Sequence, residues 1–482
     1  MKKLRVHQRN QFFVVITVFV LQFSLLTPHG IVYAQNEEYS HILTLESPNP
    51  ENHAWFGYEV EIHGDIIVIN EPYADVDDIL DAGKIYVYDT DGNLISTIQS
   101  PTPGNNDNFG ERFDQYGDTL IMKELSDIDD LLFAGKAHVF TTDGTHLLTL
   151  QSPDPIRGGY FGTAGIYEDL LVIYENKDEG VVHMFNAEGD YLNTLYSPIP
   201  IATGKFGRSI EVGETLILIG ETGTGDVPRG PGSVHVFNHS GDHLMTLQAP
   251  EPEDRARFGT SISVSGDLIV IGENYATVDG VWRAGRAYIF NTDGELLQTL
   301  QSPNPKTNGE FGDSVAIDGD RLVVGEFDAD VNPYQYEGRA YVYDIDGNLL
   351  QNLTAPDPCP RAAFGLDVDI DGDTIVVGEC WAAIEDFGQA GRVQVYRLGA
   401  PVETQKTVEE TAPVVEEEPE AETAGGIPGY PIETIVIGVT TVILYAYTCH
   451  KKTVITRQNN ENQLRDVLRR HDQTHGTKEA ET

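Results

Sequence analysis

One glutamate recurs along this chain at equivalent positions: Glu71, Glu124, Glu175, Glu221, Glu273, Glu326 and Glu379. Each follows the glycine of a Phe-Gly pair by 14 residues, or by 13 in the third case, and closes a short apolar run. Seven equivalent carboxylates could ring a cation. In five of the seven cases, however, a basic residue opens the next segment, at Lys84, Lys136, Arg286, Arg339 and Arg392, with Val181 and Ser233 in the other two. Cross-strand neutralisation accounts for that pattern, and buried charges are normally paired, so pairing is the expectation for this ring.

A second acidic pattern alternates with apolar residues. Asp367, Asp369 and Asp371 interleave with Val368 and Ile370, as Glu59, Glu61 and His63 do with Val60 and Ile62. On a strand such residues share one face. If that strand is the innermost of a ring, Asp367, Asp369 and Asp371 could hold a cation such as Ca2+ in an axial channel. Ser261, Ser263 and Ser265 at the equivalent places favour a hydrated polar channel instead. Asp-Gly turns such as Asp143-Gly144 and Asp293-Gly294 look like calcium loops but lack spaced ligands and a terminal Glu, and read as hairpins. No G-x-S-x-G, H-E-x-x-H or P-loop occurs, so no enzymatic activity is expected and no cofactor beyond that calcium.

The elements that position these residues come from a repeat. Phe-Gly pairs open at Phe56, Phe109, Phe161, Phe206, Phe258, Phe311 and Phe364, spaced 45 to 53 residues apart. Each unit holds four short strands and no helix, which predicts an all-β, seven-bladed propeller over residues 39–398. The second strands, such as Leu268 to Ile271, are unbroken apolar runs that need cover on both faces, as a blade between two blades provides. A spare fourth strand stands at residues 41–50, before the first unit, and the seventh unit ends after its third strand. Pairing the two would close the ring and remove its open edge.

The ends predict a surface protein. Residues 1–34 have the basic, apolar and small-residue order of a signal peptide. Residues 399–426 are a Pro/Glu-rich stalk, 427–449 one membrane span, and 450–482 a tail whose Lys451 and Lys452 place it in the cytoplasm. The expected location is the cell membrane, single-pass, with the propeller outside. Between residues 10 and 449 stand 71 acidic and 20 basic residues, a surface that excludes nucleic acid as partner and suits cations, basic partners or high salt. In an oxidising exterior Cys359 and Cys380, both in the seventh unit, are expected to form a disulfide. Asn238 and Asn352 open glycosylation sequons in what read as exposed turns.

With its Phe-Gly pairs, apolar second strands and following Ala-Gly-Lys/Arg strands, as in Ala82-Gly83-Lys84, the chain resembles the FG-GAP repeat proteins, including the propeller heads of integrin alpha subunits. The resemblance implies a seven-bladed propeller that binds a ligand in cell adhesion. The family's Gly-Ala-Pro and its Asp-rich calcium loop are both missing, so its calcium loops are not implied. The stalk, span and basic stop look like the surface-protein anchors of archaea.

The long loops between strands two and three, and between blades, should gather on one face. They carry all three tryptophans, Trp55, Trp282 and Trp381, with Tyr73, Tyr275, Tyr334, Tyr336 and Phe387. Aromatic loops on a rigid scaffold make that face the expected site for an extracellular protein or glycan. An extracellular enzyme acting on polysaccharide and a structural subunit of a surface layer are the alternatives.

Overall fold

The computed structural model describes residues 38–199, 204–223, 230–329 and 337–400. The expected signal peptide, membrane span and tail lie outside them, as does the stalk beyond Ala400, and so do Tyr334 and Tyr336. The described residues form seven four-stranded antiparallel sheets and no helix. Each sheet runs in chain order from an inner first strand to an outer fourth; in blade one these are Val60–His63, Ile66–Glu71, Lys84–Asp89 and Leu94–Ile98.

Blade seven is the exception that closes the ring. Its order is Tyr39–Glu46, Arg392–Leu398, Thr374–Glu379, Val368–Asp371, so the N-terminal strand supplies the outer position. The pairing runs from Tyr39 opposite Leu398 to Glu46 opposite Arg392.

The apolar residues pack between blades. Phe56, Val60, Ile67, Ile69 and Tyr86 of blade one share a core with Val376, Val393 and Val395 of blade seven and with Leu45 of the closing strand. Val68, Ile85 and Val87 turn the other way, against Phe109, Leu120 and Met122 of blade two. Opposite faces of one strand thus feed two cores, which is why the second strands carry no polar alternation.

The Phe-Gly and Ala-Gly pairs are two sides of one joint. Each Phe of the seven pairs is fully buried. Its N–H reaches back to the preceding blade; Phe109 donates to Ala82 O at 2.8 Å, and Phe161 to Ala134 O at 2.9 Å. The Gly after that alanine lies against the same Phe backbone. Gly83 has φ +88°, and a Cβ there would collide with the Phe109 carbonyl and amide. Gly83→Ala is therefore expected to cost more than ~2 kcal/mol, read as a shift in denaturation midpoint, because left-handed strain and a backbone clash coincide.

Two expectations change here. Cys359 and Cys380 are free thiols. Cys380 follows Glu379 at the end of a strand, and neighbouring strand residues point to opposite faces. Cys380 is fully buried, whereas Cys359 is partly exposed, its thiol within 3.9 Å of the Pro360 carbonyl. Asn352 is exposed as expected but stands within the outer strand Leu349–Leu353, not in a turn. Asn238 is half-buried at the end of strand Ser233–Asn238, not in a turn, and its side chain is engaged with Ser240 and Asp242 of the turn that follows.

Candidate functional site

The first strands surround a cavity of about 520 Å³ on the ring axis. Strand register sorts its side chains into layers. At the long-loop end stand Glu59, Arg112, Ser261, Ser314 and Asp367; in the middle Glu61, Asp114, Glu211, Ser263 and Asp369. The first strand of each blade has one edge with no strand partner, and in blades one, two, three, five, six and seven side chains of the preceding blade serve its N–H groups. Asp367 accepts from Val60 N–H and Asp369 from Ile62 N–H, both at 2.8 Å, and Asp371 accepts from Gly64 N–H. Glu59 accepts from Phe113 N–H at 2.8 Å, Asp114 from Ile166 at 2.7 Å, and Glu211 from Val264 at 3.1 Å. Where serine replaces acid its hydroxyl does the same, Ser263 for Ile317 and Ser265 for Gly319, both at 3.2 Å.

The acid alternation is thus a belt that ties blade to blade. Asp367, Asp369 and Asp371 each face a different backbone amide instead of converging, and no group of three or more His, Cys, Asp or Glu that could hold a metal ion occurs among the described residues. Crowding and burial raise these carboxyls, Asp114 and Asp369 to about 7 and Asp367 and Glu211 to about 8. Glu61 is raised well above the usual carboxylate range by burial and by the charges of Asp114, Glu59, Asp369 and Asp367.

The recurrent glutamates are buried in all seven blades and sit opposite the expected third-strand residues, Glu71 to Lys84 and Glu379 to Arg392 among them. Glu379 makes a close ion pair with that residue, at 2.5 Å; Lys136 stands 4.0 Å from Glu124, and Lys84 turns to Glu51 instead. The main partners come from two positions that sequence reasoning missed. One is the serine of the preceding Ser-Pro, as in Ser47 to Glu71 at 3.1 Å and Ser100 to Glu124 at 2.5 Å. The other is Tyr or His two residues after the basic position: Tyr86, Tyr288 and Tyr341 donate to Glu71, Glu273 and Glu326, while His138, His183 and His235 bond Glu124, Glu175 and Glu221. Each of these histidines has its second nitrogen on a threonine, Thr149, Thr194 or Thr246. The same rings pack on the Phe of the Phe-Gly pair, Phe56 on Tyr86 with centroids 5.6 Å apart and Phe109 on His138 at 5.6 Å. Ser-Glu-Tyr/His under a Phe is therefore the signature of blades one to four and six; blade five has Ala249 in place of the serine, and blade seven has Ala355 there and Gln394 in the third place.

Glu124 differs from the Tyr-paired glutamates in its protonation. Burial raises Glu71, Glu273 and Glu326 to about 7, whereas Glu124 is held low by His138, Ser100 and Lys136 against the pull of burial. Glu273→Gln is expected to cost under ~1 kcal/mol, since Tyr288 can still donate to the amide oxygen. Glu124→Gln should cost about 2 kcal/mol, because a charge-assisted pair with His138 is lost in the core. Urea denaturation at pH 7 distinguishes the two.

The long-loop face gathers the expected aromatics into two groups. At the closure between blades seven and one, Trp55 meets Tyr73 with centroids 4.8 Å apart, Tyr58 at 5.8 Å and Trp381 at 6.2 Å; Phe327 extends the cluster to Trp381 at 6.3 Å. Trp55 and Trp381 are half-buried against one another, and both indole N–H groups are buried without a hydrogen-bond partner. Trp55 holds φ 60°, a left-handed conformation that costs a non-glycine residue strain. On blade five, Arg257 lies 3.7 Å and Arg283 3.9 Å from the Tyr275 centroid, and Arg283 lies 4.3 Å from Trp282, which is 54% exposed. Phe387 is half-buried at its loop tip and joins neither group. Tyr58, between Glu46 and Val60, and Phe327, directly after Glu326, stand in the same long loops and were missed.

Three stretches, residues 244–290, 297–343 and 348–396, match the FG-GAP repeat family model, so the chain contains FG-GAP repeats and folds as a seven-bladed β-propeller. No curated protein matches the sequence. Among solved structures the chain is similar to that of BamB from Moraxella catarrhalis, with 11% identity over 75% of this chain and 98% of the other and a TM-score of 0.40.

Proposed function

We propose that this propeller is the binding head of a cell-surface protein, anchored by the C-terminal apolar segment, and that its long-loop face takes an extracellular protein or glycan. The observation that carries this reading is the cluster of Trp55, Tyr73, Tyr58 and Trp381 on the long loops, of which Tyr58 also lines the axial cavity. Half-buried aromatic rings gathered on loops that a rigid scaffold holds are a place where a ligand gains contact area at little ordering cost. Binding is favoured over turnover because Asp114, Glu211, Asp367 and Asp369 already serve as acceptors for backbone N–H groups between blades.

Screening the purified full chain against glycans and surface extracts tests the reading. Trp55→Ala and Trp381→Ala should each weaken the ligand found by more than ~1 kcal/mol while the fold persists. Unchanged affinity in both, or loss from substitutions in the opposite-face turns at Asp65 or Asp373, would overturn it.

A further inference from the structure

Four blade joints carry a second backbone hydrogen bond beside that of the Phe-Gly pair. The residue before the Phe donates its N–H to the carbonyl of the residue before the preceding blade's Ala-Gly: Asn108 to Asp81 at 3.1 Å, Tyr160 to Phe133 at 3.0 Å, Glu310 to Arg283 at 3.1 Å and Trp55 to Gln389 at 3.4 Å. Both members of every pair are left-handed, with φ between 46° and 60°. Asp and Asn adopt that conformation at little cost, whereas a bulky aromatic residue is strained there. In three joints the side chains serve the fold: Asn108 donates to the Pro72 carbonyl at 3.2 Å, Arg283 lies 3.8 Å from Glu310, and Gln389 bonds His53 at 2.6 Å beside the packed Trp55. The joint of blades two and three differs. Phe133 and Tyr160 stack on one another, centroids 6.2 Å apart and planes within 21°, yet stay 46% and 40% exposed. Strain that packing does not recover points to function.

The loop that presents Phe133 is acidic. Asp127 accepts from the Phe133 N–H at 2.8 Å and so closes the base of the loop. Within it Ile128 and Leu131 exchange backbone hydrogen bonds at 3.1 and 2.9 Å, which leaves Asp129 and Asp130 as an exposed tip. Neither of these two carboxylates has a hydrogen-bond or ion-pair partner among the described residues. Of the basic residues within three positions of the stacked pair, Lys136 stands 4.0 Å from buried Glu124, and Arg157 is exposed. Three carboxylates thus stand against one uncommitted cation beside a flat aromatic surface.

We propose that this joint docks an arginine from a basic segment of a partner protein, its guanidinium laid on the stack of Phe133 and Tyr160 and its N–H groups taken by the carboxylates of the loop 127–130. A guanidinium is planar and weakly hydrated, lies on aromatic faces, and forks onto carboxylates. A lysine ammonium offers charge without the flat face. The formal net charge of −45 draws a basic segment towards the chain, and the stack selects where it seats. This joint lies two blades from the Trp55 cluster on the same long-loop face, and its occupancy does not depend on that cluster.

Fluorescein-labelled Gly-Arg-Gly-Arg-Gly, titrated with the full chain in about 0.15 M salt to screen distant charges, should show a saturable rise in anisotropy. The peptide with lysine in place of arginine should bind about fivefold or more weakly. Phe133→Asn combined with Tyr160→Asn keeps residue types that suit the left-handed backbone, as Asp81 and Asn108 do in the neighbouring joint, so the melting temperature should not fall while peptide affinity drops about tenfold. Asp129→Asn with Asp130→Asn should weaken the peptide about fivefold, whereas Asp91→Asn with Asp346→Asn, an equal loss of charge in the opposite-face turns, should leave affinity within about twofold. Absence of saturable binding, equal affinity for the arginine and lysine peptides, or unchanged affinity in the Phe133 and Tyr160 variant overturns the proposal. A clear loss of melting temperature in that variant overturns it too, since the stack then serves the fold. Displacement of the peptide by lower concentrations of uncharged maltohexaose would make the stack a sugar platform, and a dimer that the same variant turns monomeric would make the occupant a second copy; either result overturns the assignment. None of these outcomes bears on the Trp55 cluster, which is tested by its own variants.

Discussion

Removing residues 39–46 should lower the melting temperature by at least 5 °C and broaden the transition, because blade seven then ends on an open edge. The closing strand does more than add a ladder. Leu45 is 5% exposed in the core shared by blades one and seven, and Tyr39 is 3% exposed in the core of blades six and seven, where its backbone N–H donates to Gln351 and its carbonyl accepts from the same side chain. The strand therefore holds two cores as well as one sheet. Burial of two large side chains contributes about 4 kcal/mol, before counting the hydrogen bonds lost. A point variant separates edge from core. Leu45→Asp places a carboxylate among Phe56, Ile69 and Val393 and should cost about 4 kcal/mol, whereas Ile95→Asp on the outer strand of blade one, 46% exposed, should stay within about 0.5 kcal/mol. A deletion variant that melts within a degree of the intact chain would mean that the ring does not depend on its closing strand.

That closure was readable in the sequence because it is a counting argument: one strand too many at one end and one too few at the other. The Phe-Gly and Ala-Gly pairs were readable as a repeat, but not as the two sides of one joint, since Gly83 and Phe109 belong to different units and only their contact explains both. The recurrent glutamates show where pattern reasoning stops. Register places Glu124 opposite Lys136 as charge pairing suggests, yet the closest bonds go to His138 and Ser100. The signal was present: where the third strand carries His, the fourth carries a threonine at the position that meets its second nitrogen, and where it carries Tyr in blade one the hydroxyl ends on the glutamate. The axial acids were legible as a face but not as a belt. The partner of Asp367 is the amide of Val60, 307 residues away, and a backbone N–H leaves no trace in side-chain chemistry.

That belt sets an expected pH dependence opposite in sign to ordinary acid denaturation. Asp367 and Glu211, normally near 3.8 and 4.5, are raised to about 8, and Asp114 and Asp369 to about 7, mainly by burial. Glu71, Glu273 and Glu326 are raised to about 7 for the same reason. A carboxyl whose folded-state pKa is raised binds a proton in the fold that the unfolded chain has released, so its contribution is fully present below about pH 4 and is lost as pH climbs through 7 to 8. Glu124 and Glu111, held low by His138 and Lys123 respectively, act in the other direction and set the acid limit near pH 4. The melting temperature should therefore rise as pH falls from 8 to about 5.5. Asp367→Asn and Glu211→Gln isolate the cause, since each retains an oxygen for the Val60 or Val264 N–H and neither can ionise. Each should gain on the order of 2 kcal/mol more at pH 8 than at pH 5.5, a difference of roughly 3 °C for a domain this large. Asp369→Asn should gain less, because both of its carboxylate oxygens accept N–H groups, from Ile62 and from Ile370, and an amide NH2 would face one of them. A melting temperature that falls steadily from pH 8 to 5.5, or an unchanged pH slope in the Asp367 and Glu211 variants, would show that these carboxyls are ionised in the fold and that the belt is held by charge.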